Sequence, residues 1–170
     1  MAFIRTKQIK GKEYAYIVEN RWARKKTKQK SKKYLGRVYR HDRVGVMDFY
    51  EHNEVDDVEK YLTEKSKEEI IADLVKLELF NYGFVEEKGK FKKKECIVDI
   101  KKKKVLNEKG NNVALAFNEG YLTTYALRKI HNFRAFDKEE GYDFAKLLIE
   151  AGIAIPNDIF VGLFKKILEN

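Results

Sequence analysis

Apolar residues alternate with polar ones along the first forty positions, and later recur every three or four, so the chain predicts strands at its start and helices towards its end. Residues 1–36 predict a three-stranded antiparallel meander. The first run is 3–9, the second is EYAYIVE at 13–19 with Gly11 in the turn before it, and the third is 27–35, closed by Gly36. Period-two alternation puts Lys28, Lys30, Lys32 and Tyr34 on one face of the third run. Tyr14 and Tyr16 share a face of the second. Alternation on a strand normally marks the half-buried side, so both are assigned to the core of the sheet, with contact to bases as the alternative. The tip between the second and third runs, residues 20–26, carries the only tryptophan, Trp22, among cations. It reads either as a group that stacks on a base or wedges into a groove, or as an anchor folded back onto a small module.

Further along, residues 44–50 predict a short extended run and 54–62 a short acidic helix. Ser66 with Glu69 has the spacing of a capping box and opens a helix through Phe80, with Ile70, Ile71, Leu74, Val75, Leu77 and Leu79 as its broad apolar face and Gly83 at or just beyond its end. Residues 84–117 return to strands: FVEE, a turn near Gly89, KECIVDI, KVL, a turn at Gly110-Asn111-Asn112, and VALAF. The last third predicts three helices, one capped by Asn118 and running to about Phe133, one from about Asp137 to Ala151, and one from Asn157 onward after Pro156. The last is too apolar for a recognition helix, so it is assigned to the core or to a homodimer interface. The expected fold class is α+β: an N-terminal three-stranded antiparallel basic module, a central helix with β-hairpins, and a C-terminal three-helix segment.

Charge changes this picture from fold to function. Among residues 1–43, fifteen Lys and Arg face only Glu13, Glu19 and Asp42, whereas residues 44–87 hold thirteen acids against four lysines. The reversal sets the expected boundary: a basic β module at 1–43 and a mixed α+β domain at 44–170. The segment 21–33 holds eight cations and no acid, so nothing within it neutralises the charge. Such an excess on ordered β-structure suits a polyanion, because each neutralised phosphate releases condensed counterions. The expected phosphate contacts are Arg5, Lys7, Arg21, Arg24, Lys25, Lys26, Lys28, Lys30 and Lys32, with Trp22 as a stacking group. A solvated surface that merely maintains solubility is the plain alternative. The lysines between 88 and 104 read either as a second polyanion surface or as turns that keep an edge strand from aggregating. The acidic segment 44–87 is a candidate mask for the basic module, although a solvated helix surface is the commoner reason for such charge.

Candidate chemistry is sparse. The single Cys96 excludes an internal disulfide and a zinc ribbon, and His41, His52 and His131 are too far apart in sequence to suggest a metal site; no cofactor is expected. No apolar run approaches the ~20 residues that span a bilayer, so no membrane partner is expected, and the chain reads as a cytoplasmic protein associated with the nucleoid or with RNA. Abundant Lys, Glu and Ile with one Pro and one Cys fit an AT-rich genome or a thermostable protein of a hot environment. One constellation resembles that of restriction-enzyme-like Mg²⁺ nucleases: Glu86 or Glu87, then Asp99-Ile100-Lys101, two carboxylates for the metal and a lysine for the attacking water. Such a triplet also arises by chance in a lysine-rich stretch. The expected function is non-enzymatic nucleic-acid binding, double-stranded DNA favoured, through the lysine-bearing sheet face. The alternatives are an RNA- or ribosome-associated binder, the nuclease, and a protein adaptor working through its C-terminal helices.

A longer pattern runs through residues 3–38: Phe3-Ile4-Arg5 with Lys7, then Lys10-Gly11 with Tyr14, Tyr16 and Val18-Glu19, then Lys28-Gln29-Lys30 and Tyr34-Leu35-Gly36. It resembles the N-terminal DNA-contacting segment of DDE-type insertion-sequence transposases. The resemblance implies a small DNA-contacting module. It does not carry transposition with it, because those enzymes add a far longer RNase H-like catalytic domain with three metal-binding carboxylates, and the elements expected after residue 44 do not follow that order.

Overall fold

Two left-handed residues, Lys10 at φ 49° and Gly11 at φ 74°, make the tight turn that joins β1 (Ala2–Ile9) to β2 (Lys12–Ala23). The computed structural model describes residues 2–23 and 26–169, and in it β3 (Lys26–Arg40) completes the expected antiparallel meander. The expected tip is shorter than its charge suggested. Asn20, Arg21 and Trp22 are strand residues, and pairing continues out to Ala23 opposite Lys26. Arg24 and Lys25 lie outside the described residues.

Asp48 and Asp57 cap the short helices α1 (Phe49–His52) and α2 (Val58–Glu64). Residues 44–48, expected to be extended, lack regular structure. Asn81 explains their path: its backbone carbonyl accepts from the amides of Val44 and Gly45, and its carboxamide bonds both main-chain groups of Met47. The capping box of Ser66 and Glu69 opens α3 (Lys67–Asn81) as expected, and Gly83, at φ 77°, follows its end. This helix is buried on most sides. Its Glu78 is 1% exposed and accepts the Ala154 amide at 3.0 Å, so even its polar residues hold neighbouring segments in place.

A four-stranded antiparallel sheet follows, built from β4 (Val85–Glu87), β5 (Lys90–Lys93), β6 (Cys96–Asp99) and β7 (Lys104–Asn107). Strand β5 was not expected, because only Phe91 in KFKK is buried and the run reads as polar. The next strand, β8 (Val113–Phe117), leaves this sheet and pairs parallel with β3, Arg37 opposite Val113 through Arg40 opposite Ala116. With β9 (Gly120–Leu122) this makes a five-stranded sheet in the order β1-β2-β3-β8-β9. The sheet therefore crosses residue 43, the boundary read from charge.

The helix expected from Asn118 begins later. Asn118 sits in a tight turn at φ 49°, its side-chain amide donating to the Gly152 carbonyl at 2.7 Å while its oxygen accepts from Arg43 at 2.9 Å, and the chain folds back as β9. Thr123 then caps α4 (Thr124–Asn132) through the Ala126 amide. Helices α5 (Gly141–Glu150) and α6 (Asn157–Leu168) complete the chain, and Asp137, expected near the start of α5, instead holds the preceding turn through the amides of Glu139 and Glu140. Ile159, Leu163, Phe164 and Ile167 of α6 are buried in the main core with α3, α4 and α5. A second, smaller core of Ala15, Ile17, Leu35, Val38 and Ala114 joins the five-stranded sheet to Tyr121 and Tyr125.

Candidate nucleic-acid interface

The two faces of the N-terminal sheet have different chemistry because β3 is irregular. Tyr16 pairs with Tyr34 and Ala15 with Gly36, so Leu35 is an extra residue; Ile17 pairs with Lys33 and Val18 with Ser31, so Lys32 is another. Each bulge resets the alternation. Tyr34 consequently lies on the side opposite Lys28 and Lys30, and the single Lys28-Lys30-Lys32-Tyr34 face expected from period two does not exist.

The helix-facing side of the sheet is the basic one. Register puts Lys26, Lys28, Lys30 and Lys33 beside Ala23, Arg21, Glu19 and Ile17 on this side. Lys32 joins them through an ion pair of 3.0 Å with Glu19, which Arg21 also approaches at 3.3 Å. Lys32, and after it Arg21, hold the Glu19 carboxyl below the usual carboxylate range. That carboxylate also relieves the repulsion expected of adjacent lysines. Beyond Ala2, among the described residues, β2 and β3 pair only with each other, from Asn20 opposite Gln29 to Ala23 opposite Lys26, as a two-stranded ribbon. Trp22 on this ribbon is 82% exposed, so it is not the folded-back anchor.

The basic side continues into a groove of about 760 Å³ between the sheet and helices α4 and α5, lined among others by Lys33, Arg128, Lys129, Arg134 and Lys146. The ammonium groups of Lys33 and Lys129 each lie 4.9 Å from the centre of the Tyr125 ring. Lys146 is partly offset by Glu150 at 3.7 Å, and Asp143 also lines the groove, leaving a net positive wall. Sequence reading missed Arg128, Lys129, Arg134 and Lys146, which are spread over α4, the segment after it and α5 and form no run. The one signal for them is that Lys129 stands one helical turn after Tyr125.

The opposite, outer side carries Arg5, Lys7, Tyr14, Tyr16, Tyr34 and Arg37. The Tyr34 ring centre is 5.3 Å from that of Tyr16 and 6.3 Å from that of Tyr14, and Lys7 lies 5.4 Å over Tyr16. Tyr14 and Tyr16 are half-buried in this outer cluster; the core of the sheet is made by Ala15 and Ile17 on the other side, which corrects the expectation. Burial, then the neighbouring phenols of Tyr14 and Tyr16, push the Tyr34 hydroxyl above its ordinary range and keep it neutral. Arg5 reaches across the face and donates to the Gln29 carboxamide.

The nuclease-like residues are not brought together. Glu87 on β4 pairs with Lys92 at 3.0 Å, and Asp99 on β6 lies beyond the intervening β5, about 10 Å away at the usual strand spacing. Asp99 accepts the Lys102 amide at 2.9 Å, and exposed Lys101 belongs to that same turn. Among the described residues no group of three His, Cys, Asp or Glu is arranged to hold a metal ion. Cys96 is fully buried, and burial pushes its thiol up to about 12, which leaves it protonated and unreactive. Of the lysines of 88–104, Lys88, Lys94 and Lys103 adopt positive φ, whereas Lys90, Lys92 and Lys93 are residues of β5 and Lys104 opens β7; Lys93 donates to the Tyr82 carbonyl at 2.6 Å. Among the described residues no helix is long and apolar enough to cross a membrane. No family model, no curated protein and no solved structure matches the chain.

Proposed function

We propose that the chain is a non-enzymatic nucleic-acid-binding protein whose basic ribbon and adjoining groove hold the sugar-phosphate backbone of a duplex. One observation carries this reading. Arg21, Lys26, Lys28, Lys30, Lys32 and Lys33 occupy a single side of the β2-β3 hairpin, and Lys33 also lines the cationic groove between the sheet and helices α4 and α5. A two-stranded ribbon fits the ~12 Å major groove of B-DNA, where its lysines reach phosphates on the groove walls. Exposed Trp22 stands at the ribbon's far end, positioned to stack or wedge. The resemblance of residues 3–38 to a transposase DNA-contacting segment favours DNA over structured RNA.

Binding of the purified protein to duplex DNA, single-stranded DNA and structured RNA across a salt series tests the proposal. The K26A/K28A/K30A variant is expected to weaken duplex binding irrespective of sequence and to flatten the log K against log salt slope by about 0.9 for each phosphate no longer neutralised. An unchanged slope removes the ribbon from the interface. Preference for RNA over duplex DNA moves the protein to an RNA-associated role.

A further inference from the structure

We infer that the outer, tyrosine-bearing side of the sheet is a second nucleic-acid site that takes unpaired bases, so that the substrate is a duplex joined to a single-stranded tail. The inference rests on the duplex reading above and names the kind of substrate it serves. Its starting observation is a division of chemistry within one sheet. The helix-facing side offers ammonium groups for phosphates, whereas the outer side offers aromatic faces with cations between them, the combination that binds unstacked bases and their backbone together.

Tyr34 is the pivot. Its ring contacts those of Tyr14 and Tyr16 on the outer side, yet 52% of the residue is exposed, which leaves aromatic surface open for a base. Beside it lies a recess of about 490 Å³ bounded by Tyr34, Arg37, Tyr39, Lys109 and Asn112. That volume is in the range of small-molecule sites, ~300–1,000 Å³. Arg37 lies 4.9 Å from the centre of the Tyr39 ring, so the recess combines an aromatic wall with a fixed donor, and Asn112 adds a carboxamide able to meet a base edge.

Topology connects the two sites. Strand β3 pairs with β8 only from Arg37 onward, so among the described residues its part before Gly36 has no strand neighbour on that side. Tyr34 and Asn112 line both the outer recess and the basic groove. A strand leaving a duplex held on the basic side therefore has a short route around this free edge, past Tyr34 and Asn112, onto the tyrosines. Arg5 and Lys7 on the outer side are the cations positioned for its phosphates.

The test compares a blunt DNA duplex with the same duplex carrying a short single-stranded tail, using the full chain. The tailed duplex is expected to bind about tenfold or more tighter, the size of one or more base-aromatic stacks. Because Tyr34 also borders the groove, the readout is the ratio of tailed to blunt affinity: Tyr34→Ala should bring the two affinities together, and Tyr34→Phe should restore the difference because the ring suffices. A 2-aminopurine in the tail should be quenched on binding to the unmodified protein. A tail gain that survives Tyr34→Ala, as simple attraction to extra phosphates would, overturns the inference. So does blunt binding with no gain from the tail, and that outcome leaves the duplex reading standing. Failure to bind either DNA at low salt overturns the duplex reading itself.

Discussion

His41 and His131 both sit where charge is unwelcome. The His41 ring meets Phe84 edge-on at 5.3 Å, and among the described residues neither of its nitrogens has a hydrogen-bond partner. Burial, then Lys93 and Lys94, lower its pKa against a smaller opposing pull from Asp42. Burial also lowers that of His131, against the bond from its ring to the Leu127 carbonyl, with Lys103 and Lys67 disfavouring charge and Glu68 favouring it. Both histidines titrate near 6.5 when the chain is unfolded, so below that pH the unfolded state binds more protons than the folded one. Stability is thus full above about pH 6.5 and falls as the pH drops through the two folded-state values. The denaturant midpoint should fall between about pH 7 and pH 5, and His41→Phe should raise the midpoint and flatten the fall by removing a buried titrating group. A midpoint that stays level or rises on acidification would contradict this. None of this is legible in the sequence, where the spacing of the histidines speaks only to metal binding.

The hairpins show how far pattern reading goes at the scale of elements. Alternation located β1, β2 and β3, and Gly11 identified their first turn, because both signals are local. The bulges at Lys32 and Leu35 were not legible, since an extra residue leaves no mark in the sequence yet moves Tyr34 to the other side of the sheet. Gly36 shows why the change is needed. Its φ of 131° favours glycine, and a Cβ there would collide with the backbone carbonyl of Asn112, so β3 enters its parallel pairing with β8 only by this close approach. Gly36→Ala is expected to cost about 3 kcal/mol, strain and collision together, in the free energy of urea unfolding. A change below about 0.5 kcal/mol would mean that the junction relaxes freely.

At the scale of the whole molecule, one sheet spans residues that charge alone would divide. Val38 and Ala114 share a core and adjacent strands, so the paired half of β3 should open only with the rest of the protein. Amide hydrogen exchange is expected to give Tyr39 a protection close to that of Leu74 in α3, while Arg21 and Lys28 of the ribbon exchange by local opening at far lower protection. Equal, weak protection at Tyr39 and Arg21 would instead mark residues 1–43 as an independently unfolding module.

The sequence by itself determined the α+β class, most of the strands and helices, the α3 capping box and the concentration of cations near the N-terminus. Each is a property of neighbouring residues, either their period, their turn chemistry or their charge. Only the tertiary structure decided which side of the sheet is basic and which aromatic, that β8 joins β3, and that Lys33 meets Arg128, Lys129, Arg134 and Lys146 around one groove. The physical reason is that register and packing bring together residues about a hundred positions apart, and no local pattern encodes that meeting.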